Sequence, residues 1–140
     1  MIKYIQMLKA FLSKNWSCKV DAINMDLSRQ IPKNRFDGII SSMTLHHVEN
    51  VVDYFKNCNK LLKKDGFIAI GDLETEDGDF HTSRNDGVYH LGFDPIEIEF
   101  MLRESGFYDI THKIVNTIKK ETATGELKKF PVFLVLARKI

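Results

Sequence analysis

Arg35-Phe-Asp-Gly-Ile-Ile-Ser-Ser-Met-Thr-Leu-His-His-Val48, followed by a helical run and then Gly66-Phe-Ile-Ala-Ile-Gly-Asp72, decides the fold. The first stretch opens with Phe36–Ser42, apolar on both faces apart from Asp37, as a central parallel strand is. A polar elbow ends it. Asn50 then stands where a helix cap belongs, and Val51, Phe55, Cys58 and Leu62 recur along one helical face. Gly66 reads as the helix stop, with Lys60, Lys63 and Lys64 favouring the negative end of the dipole. Phe67–Leu73 is the next strand, so the whole reads as a βαβ unit. In open parallel sheets ligands bind beyond the carboxyl ends of the strands, which directs attention to Ser41–His47.

Outward from this unit the elements are shorter. Met1–Asn15 spaces Ile2, Ile5, Leu8, Phe11 and Leu12 as an amphipathic helix. Val20–Leu27 reads as a short strand ending at Asp26. Glu74–Phe93 has no periodicity and carries many acidic, glycine and histidine residues; a loop of that length in a small domain is usually functional, often a lid, or else disordered. Asp94-Pro95 starts a helix that runs through Phe100, Met101 and Leu102 to Gly106. Phe107–Lys120 and Phe130–Arg138, joined by a turn containing Gly125, form a closing antiparallel hairpin.

Composition removes several function classes. The 140 residues suffice for one domain, and 44% hydrophobic with 28% charged residues is ordinary for a globular chain. A net charge of +1, from 20 basic and 19 acidic side chains, lacks the basic stripe that nucleic-acid binding needs. The apolar runs fall far short of the roughly 20 residues of a membrane span. Two cysteines, Cys18 and Cys58, do not make a disulfide framework and fit a cytoplasmic chain.

The order of these pieces resembles the class I S-adenosylmethionine-dependent methyltransferases, in particular the small-molecule branch that includes the ubiquinone and menaquinone biosynthesis enzymes. The resemblance rests on Ile23-Asn-Met-Asp-Leu27, Phe36-Asp-Gly-Ile-Ile-Ser-Ser-Met-Thr-Leu-His-His47, Leu61-Leu-Lys-Lys-Asp-Gly-Phe-Ile-Ala-Ile70, the helix ending Glu104-Ser-Gly-Phe107, and the hairpin. It implies an α/β fold: a truncated Rossmann-like sheet, mostly parallel, with the C-terminal hairpin added. It also implies S-adenosylmethionine as methyl donor. The family's glycine-rich turn has no counterpart here, because Met1-Ile2 matches the helix after the family's second strand. The expectation is therefore a chain holding the acceptor side of the site, with donor binding completed by a further segment or a partner. The alternative is a non-catalytic module that kept the fold.

The resemblance also assigns residues. Asp26 and Leu27 stand where the family contacts the adenine, and Ser41, Ser42 and Met43 where it approaches the amino-acid end of the donor. His46 and His47 are the candidate catalytic bases, since a neutral imidazole suits removal of an acceptor proton; a structural role in orienting the elbow is the alternative. Asp72, His81, Tyr89, His90 and Phe93 are candidate acceptor contacts. Asp72, Glu74, Asp77, Asp79, His81 and His90 match no zinc or calcium spacing, so no metal is expected and the acidic loop reads as a solvated lid. The lysines at 119, 120, 128 and 129 read as solubilising the hairpin ends. Finally, Phe36–Ser42 is left with an unpaired edge, which predicts a homo-oligomer or a partner that supplies strands.

Overall fold

The parallel pairing on which the reading depends is present: β1 (Phe36–Ser42) runs alongside β2 (Leu62–Leu73), with Gly38 opposite Phe67 and Ser42 opposite Gly71. The computed structural model describes residues 30–81 and 87–140, with isolated positions 14, 17, 19–21, 23, 25 and 27 before them. Residues 1–30 and 31–140 form two separate compact units. In the first, the described positions within Val20–Leu27 are not strand, Ile23 is exposed, and Lys19 pairs with Asp21 at 3.1 Å. The expected helix over Met1–Asn15 and residue Asp26 lie outside the described residues.

In the second unit helix α1 (Val51–Leu61) connects the parallel strands. Asn50 caps it reciprocally: its Oδ1 accepts from the Asp53 amide at 3.0 Å while its Nδ2 donates to Asp53 Oδ2 at 2.9 Å. The helix ends at Leu61, before Gly66, and the chain passes straight into β2 through an irregular segment opposite Phe36 and Gly38. Gly66 is required for proximity, not for a left-handed stop: a Cβ there would lie 2.9 Å from the Lys63 carbonyl oxygen. Asp65 takes the left-handed conformation instead. The terminal carbonyls of α1 are met from far along the chain, by Lys139 Nζ donating to Asn59 and Leu62 oxygens at 2.7 and 2.8 Å.

Helix α2 (Pro95–Glu104) starts as expected, with Asp94 Oδ1 accepting from the Ile96 amide at 2.8 Å and proline in the first turn. Strands β3 (Phe107–Glu121) and β4 (Leu127–Lys139) form the hairpin, turning at Gly125. The sheet order is β1-β2-β4-β3, with β4 antiparallel to both neighbours, so among the described strands one pairing is parallel and two are antiparallel. The sheet is more mixed than expected because the hairpin supplies half of its strands.

One face of the sheet carries the core. Ile68, Ile70, Phe133, Val135 and Ala137 pack against Val51, Phe55 and Cys58 of α1 and Ile98 and Leu102 of α2. The opposite face is more open: Ile40 is 77% exposed, and Phe67 and Leu136 are also exposed. A smaller cluster of Leu73, Phe130 and Val132, joined by Met43 and Phe80, closes the carboxyl end of β2 beneath the long loop.

Candidate active site at the strand ends

Because β1 and β2 are parallel, their carboxyl ends lie side by side, and the elbow after Ser42 meets Asp72 at the end of β2. The elbow turns sharply at Met43, whose φ of 52° is unusual for a side chain of that size. The Met43 amide donates to the Gly71 carbonyl at 2.8 Å, and Thr44 Oγ1 donates to the Ser42 carbonyl at 2.9 Å. These two bonds fix the turn that delivers Leu45–His47, a single 3₁₀ turn, over the end of β2. Leu45 is the anchor, fully buried in the core.

Asp72 is fully buried and its two oxygens serve three donors. Oδ1 meets His46 Nδ1 at 2.7 Å and the Leu73 amide at 2.8 Å; Oδ2 accepts from the His46 amide at 3.3 Å. A carboxylate can only accept, so the bond places a proton on His46 Nδ1, and in the neutral ring Nε2 is then the acceptor. His47 is arranged in the same sense. Its Nδ1 lies 2.7 Å from the Gly87 carbonyl oxygen, which leaves Nε2 free on an exposed ring. The two rings lean on each other with centroids 4.2 Å apart.

The long loop brings a third imidazole to this pair. His81 lies 5.1 Å from His46 and 5.6 Å from His47 by ring centroids, and Phe80 stands edge-on beside it. The Nε2 atom of His81 is buried without a hydrogen-bond partner. Desolvation first, then the neighbouring His46, His47 and Lys120, hold its pKa below the usual imidazole value, against a weaker upward pull from Glu76. The described part of the loop before His81 is tied down. Glu76 Oε2 accepts from the Gly78 and Phe80 amides, Lys128 pairs with Asp77 and Asp79 at 2.7 and 2.8 Å, and Lys120 caps the Phe80 carbonyl and lies over its ring. Lys120 and Lys128 thus hold the loop, where the sequence suggested only a solvated hairpin end.

The expected site residues divide accordingly. Ser42 is exposed at the strand end beside Gly71, which has no side chain, while Ser41 points the other way and hydrogen-bonds Tyr54. Asp72, His46, His47 and His81 come together. His90 stands apart: its Nε2 bonds the Val48 carbonyl at 3.0 Å and its ring packs on Phe93. Phe93 is a core residue, 5% exposed, and closes the interior instead of lining a cleft. Tyr89 has an exposed ring, and its amide donates to the His46 carbonyl at 3.0 Å. Leu27 lies in the first unit, described there as a turn. Joining His81 to His46 and His47 was beyond the sequence reading, because no local spacing links residues 34 or more positions apart. The unusual density of histidine in the elbow and the loop was the available signal.

Residues 3–70 match the methyltransferase domain family, just under half of the chain. No curated protein sequence matches it. Among solved structures, the chain is similar to a Bacillus halodurans C-125 protein assigned as a methyltransferase: TM-score 0.68 at 18% identity, over 99% of this chain and 80% of that one. It also resembles TehB from Haemophilus influenzae, with TM-score 0.63 at 16% identity over 99% of this chain and 46% of that one. A third likeness is to Haemonchus contortus phosphoethanolamine N-methyltransferase 2 in complex with S-adenosyl-L-methionine. There the TM-score is 0.59 at 14% identity, over 81% of this chain and 36% of that one. The chain therefore spans less than half the length of two of these three, and at such identities the likeness is one of fold.

Proposed function

We propose, from the premise that this is a class I S-adenosylmethionine-dependent methyltransferase chain, that its described part forms the acceptor side of a site methylating a small molecule. The observation that carries the reading is the buried His46–Asp72 pair at the carboxyl ends of two parallel strands, directly beside the elbow. The donor fits the elbow's chemistry: an exposed Ser42 hydroxyl, a chain turned away at Met43, and no side chain on Gly71. S-adenosylmethionine, when bound, supplies a methyl group already activated on a sulfonium, so alignment of the acceptor can provide most of the acceleration.

In this reading Ser42 and Met43 would hold the amino-acid end of the donor. His47, exposed and with Nε2 free, is the group that accepts the acceptor's proton. His46 is a positioning residue, since its side chain is almost fully buried; fixed by Asp72, it sets the orientation of the His47 ring. Tyr89 offers an exposed aromatic surface near the elbow for an acceptor ring or chain. Such chemistry requires neither nucleic acid nor a membrane, and among the described residues no helix is long and apolar enough to cross one. A cytoplasmic setting fits a donor of this kind.

Amide chemical shifts measured on titration with S-adenosylhomocysteine test the reading even where affinity is weak. Shifts concentrated at Ser42, Met43, Thr44 and Gly71 are expected. Shifts confined to the hairpin, or none at millimolar ligand, would remove the donor site from this elbow.

A second reading, a methyltransferase-like module acting through self-association, is favoured by one feature. Among the described residues β1 is paired on one edge only, and Ile40 at its centre is exposed.

A further inference from the structure

Three imidazoles from two distant segments converge above the end of β2, and methyl transfer accounts for at most two of them. His46, His47 and His81 each offer one ring nitrogen, and these nitrogens lie within 4.8 Å of one another. Two of the rings are held from behind. Asp72 Oδ1 accepts a hydrogen bond from His46 Nδ1, and the Gly87 carbonyl accepts one from His47 Nδ1. A carboxylate or a carbonyl on the remote nitrogen is the support that metal-binding histidines have, because it fixes the tautomer and raises the basicity of the free nitrogen. The third ring supplies the independent sign. His81 Nε2 is buried with no partner, in a molecule that satisfies its other buried side-chain nitrogens and oxygens among the described residues.

We propose that His46, His47 and His81 bind a divalent late transition-metal ion, of which Zn²⁺ is the type. Three neutral nitrogen donors with no carboxylate among them suit zinc, cobalt, nickel or copper and do not suit calcium or magnesium, which require oxygen. Zinc–nitrogen bonds of about 2.0–2.1 Å in tetrahedral geometry put ligand nitrogens roughly 3.3 Å apart, so the three must close by on the order of 1 Å. The exposed His47 ring has that freedom, and His46 is the fixed point. Three protein ligands leave the fourth position open for water or an acceptor oxygen, nitrogen or thiolate. The inference does not rest on methyl transfer. With an ion bound, His47 Nε2 is a ligand and not a proton acceptor, and the ion takes over activation of the acceptor.

The test is titration of the untagged, chelator-stripped chain with Zn²⁺ by calorimetry and with Co²⁺ by visible absorption. One equivalent of Zn²⁺ per chain is expected, with Co²⁺ giving d–d bands stronger than those of the aqueous ion and displaced by Zn²⁺. His81→Ala and His47→Ala, which leave the buried His46–Asp72 pair intact, should each weaken Zn²⁺ by about 100-fold. His112→Ala, on β3 beside Glu99, should leave it unchanged. Binding that survives both cluster substitutions, is lost equally in His112→Ala, or yields to excess Mg²⁺ would overturn the site. So would the absence of stoichiometric binding in a folded chain. Failure here leaves the donor titration untouched, and a failed donor titration leaves the metal result standing.

Discussion

Asp72 concentrates the site's dependence on one side chain. It is fully buried, and the His46 ring, the His46 amide and the Leu73 amide all donate to it. Asp72→Ala would strand three donors in the interior and is expected to cost on the order of 3 kcal/mol of stability, read from chemical denaturation. Cys58 behaves differently. Burial, partly offset by a hydrogen bond with Tyr54, pushes its thiol up to about 11. An acid raised in the folded state contributes stability that is complete below its unfolded value near 9 and lost as pH climbs through 11. Thermal stability should therefore hold up to about pH 8.5 and fall by roughly 2–3 kcal/mol over the next two to three units. Tyr54, also raised chiefly by burial, adds to the fall at the alkaline end. Cys58→Ala should flatten the part of the curve between pH 9 and 10. Both residues were legible in part: Cys58 sits on the apolar helix face, and Asp72 at a strand end, but nothing local told that Asp72 faces inward to a histidine.

At the level of elements, capping chemistry was readable and long-range anchoring was not. Asn50 and Asp94-Pro95 mark helix starts because their partners lie within three residues. The end of α1 was misjudged because Leu61-Leu62 continues the apolar face, while the lysine that meets its carbonyls arrives from β4. The loop between β2 and α2 follows the same rule. Its acidic residues read as a solvated lid, yet Asp77 and Asp79 are matched to Lys128, some 50 positions away. At its base Gly92 has φ +76°, and a Cβ there would fall 2.2 Å from the Glu74 carbonyl oxygen. Gly92→Ala is expected to destabilise by roughly 2–4 kcal/mol. Amide exchange at Thr75 and Phe93, whose backbones bond across that closure, should accelerate with it.

The unit over residues 31–140 was legible as a βαβ unit followed by a helix and a hairpin, because hydrophobic period and turn residues specify them. The sheet's balance of parallel and antiparallel pairs was less so, since strand order depends on contacts between segments about 70 residues apart. One consequence is the open side of β1. If a second copy pairs there, Ile40→Lys should shift sedimentation from dimer to monomer without changing the far-ultraviolet spectrum; an unchanged mass would remove self-association through that strand.

Strand β4, the last of the four in chain order, is an interior member of the sheet, held between β2 and β3. Before it emerges from synthesis, the βαβ unit has one flank of β2 bare and α1 lacks the lysine that finishes it. The sheet cannot assemble progressively from the amino end: it waits on the latest-made strand to slot into its interior. Such a topology makes the central pairings non-local, which slows folding and leaves the edge of β2 unpaired until β4 docks.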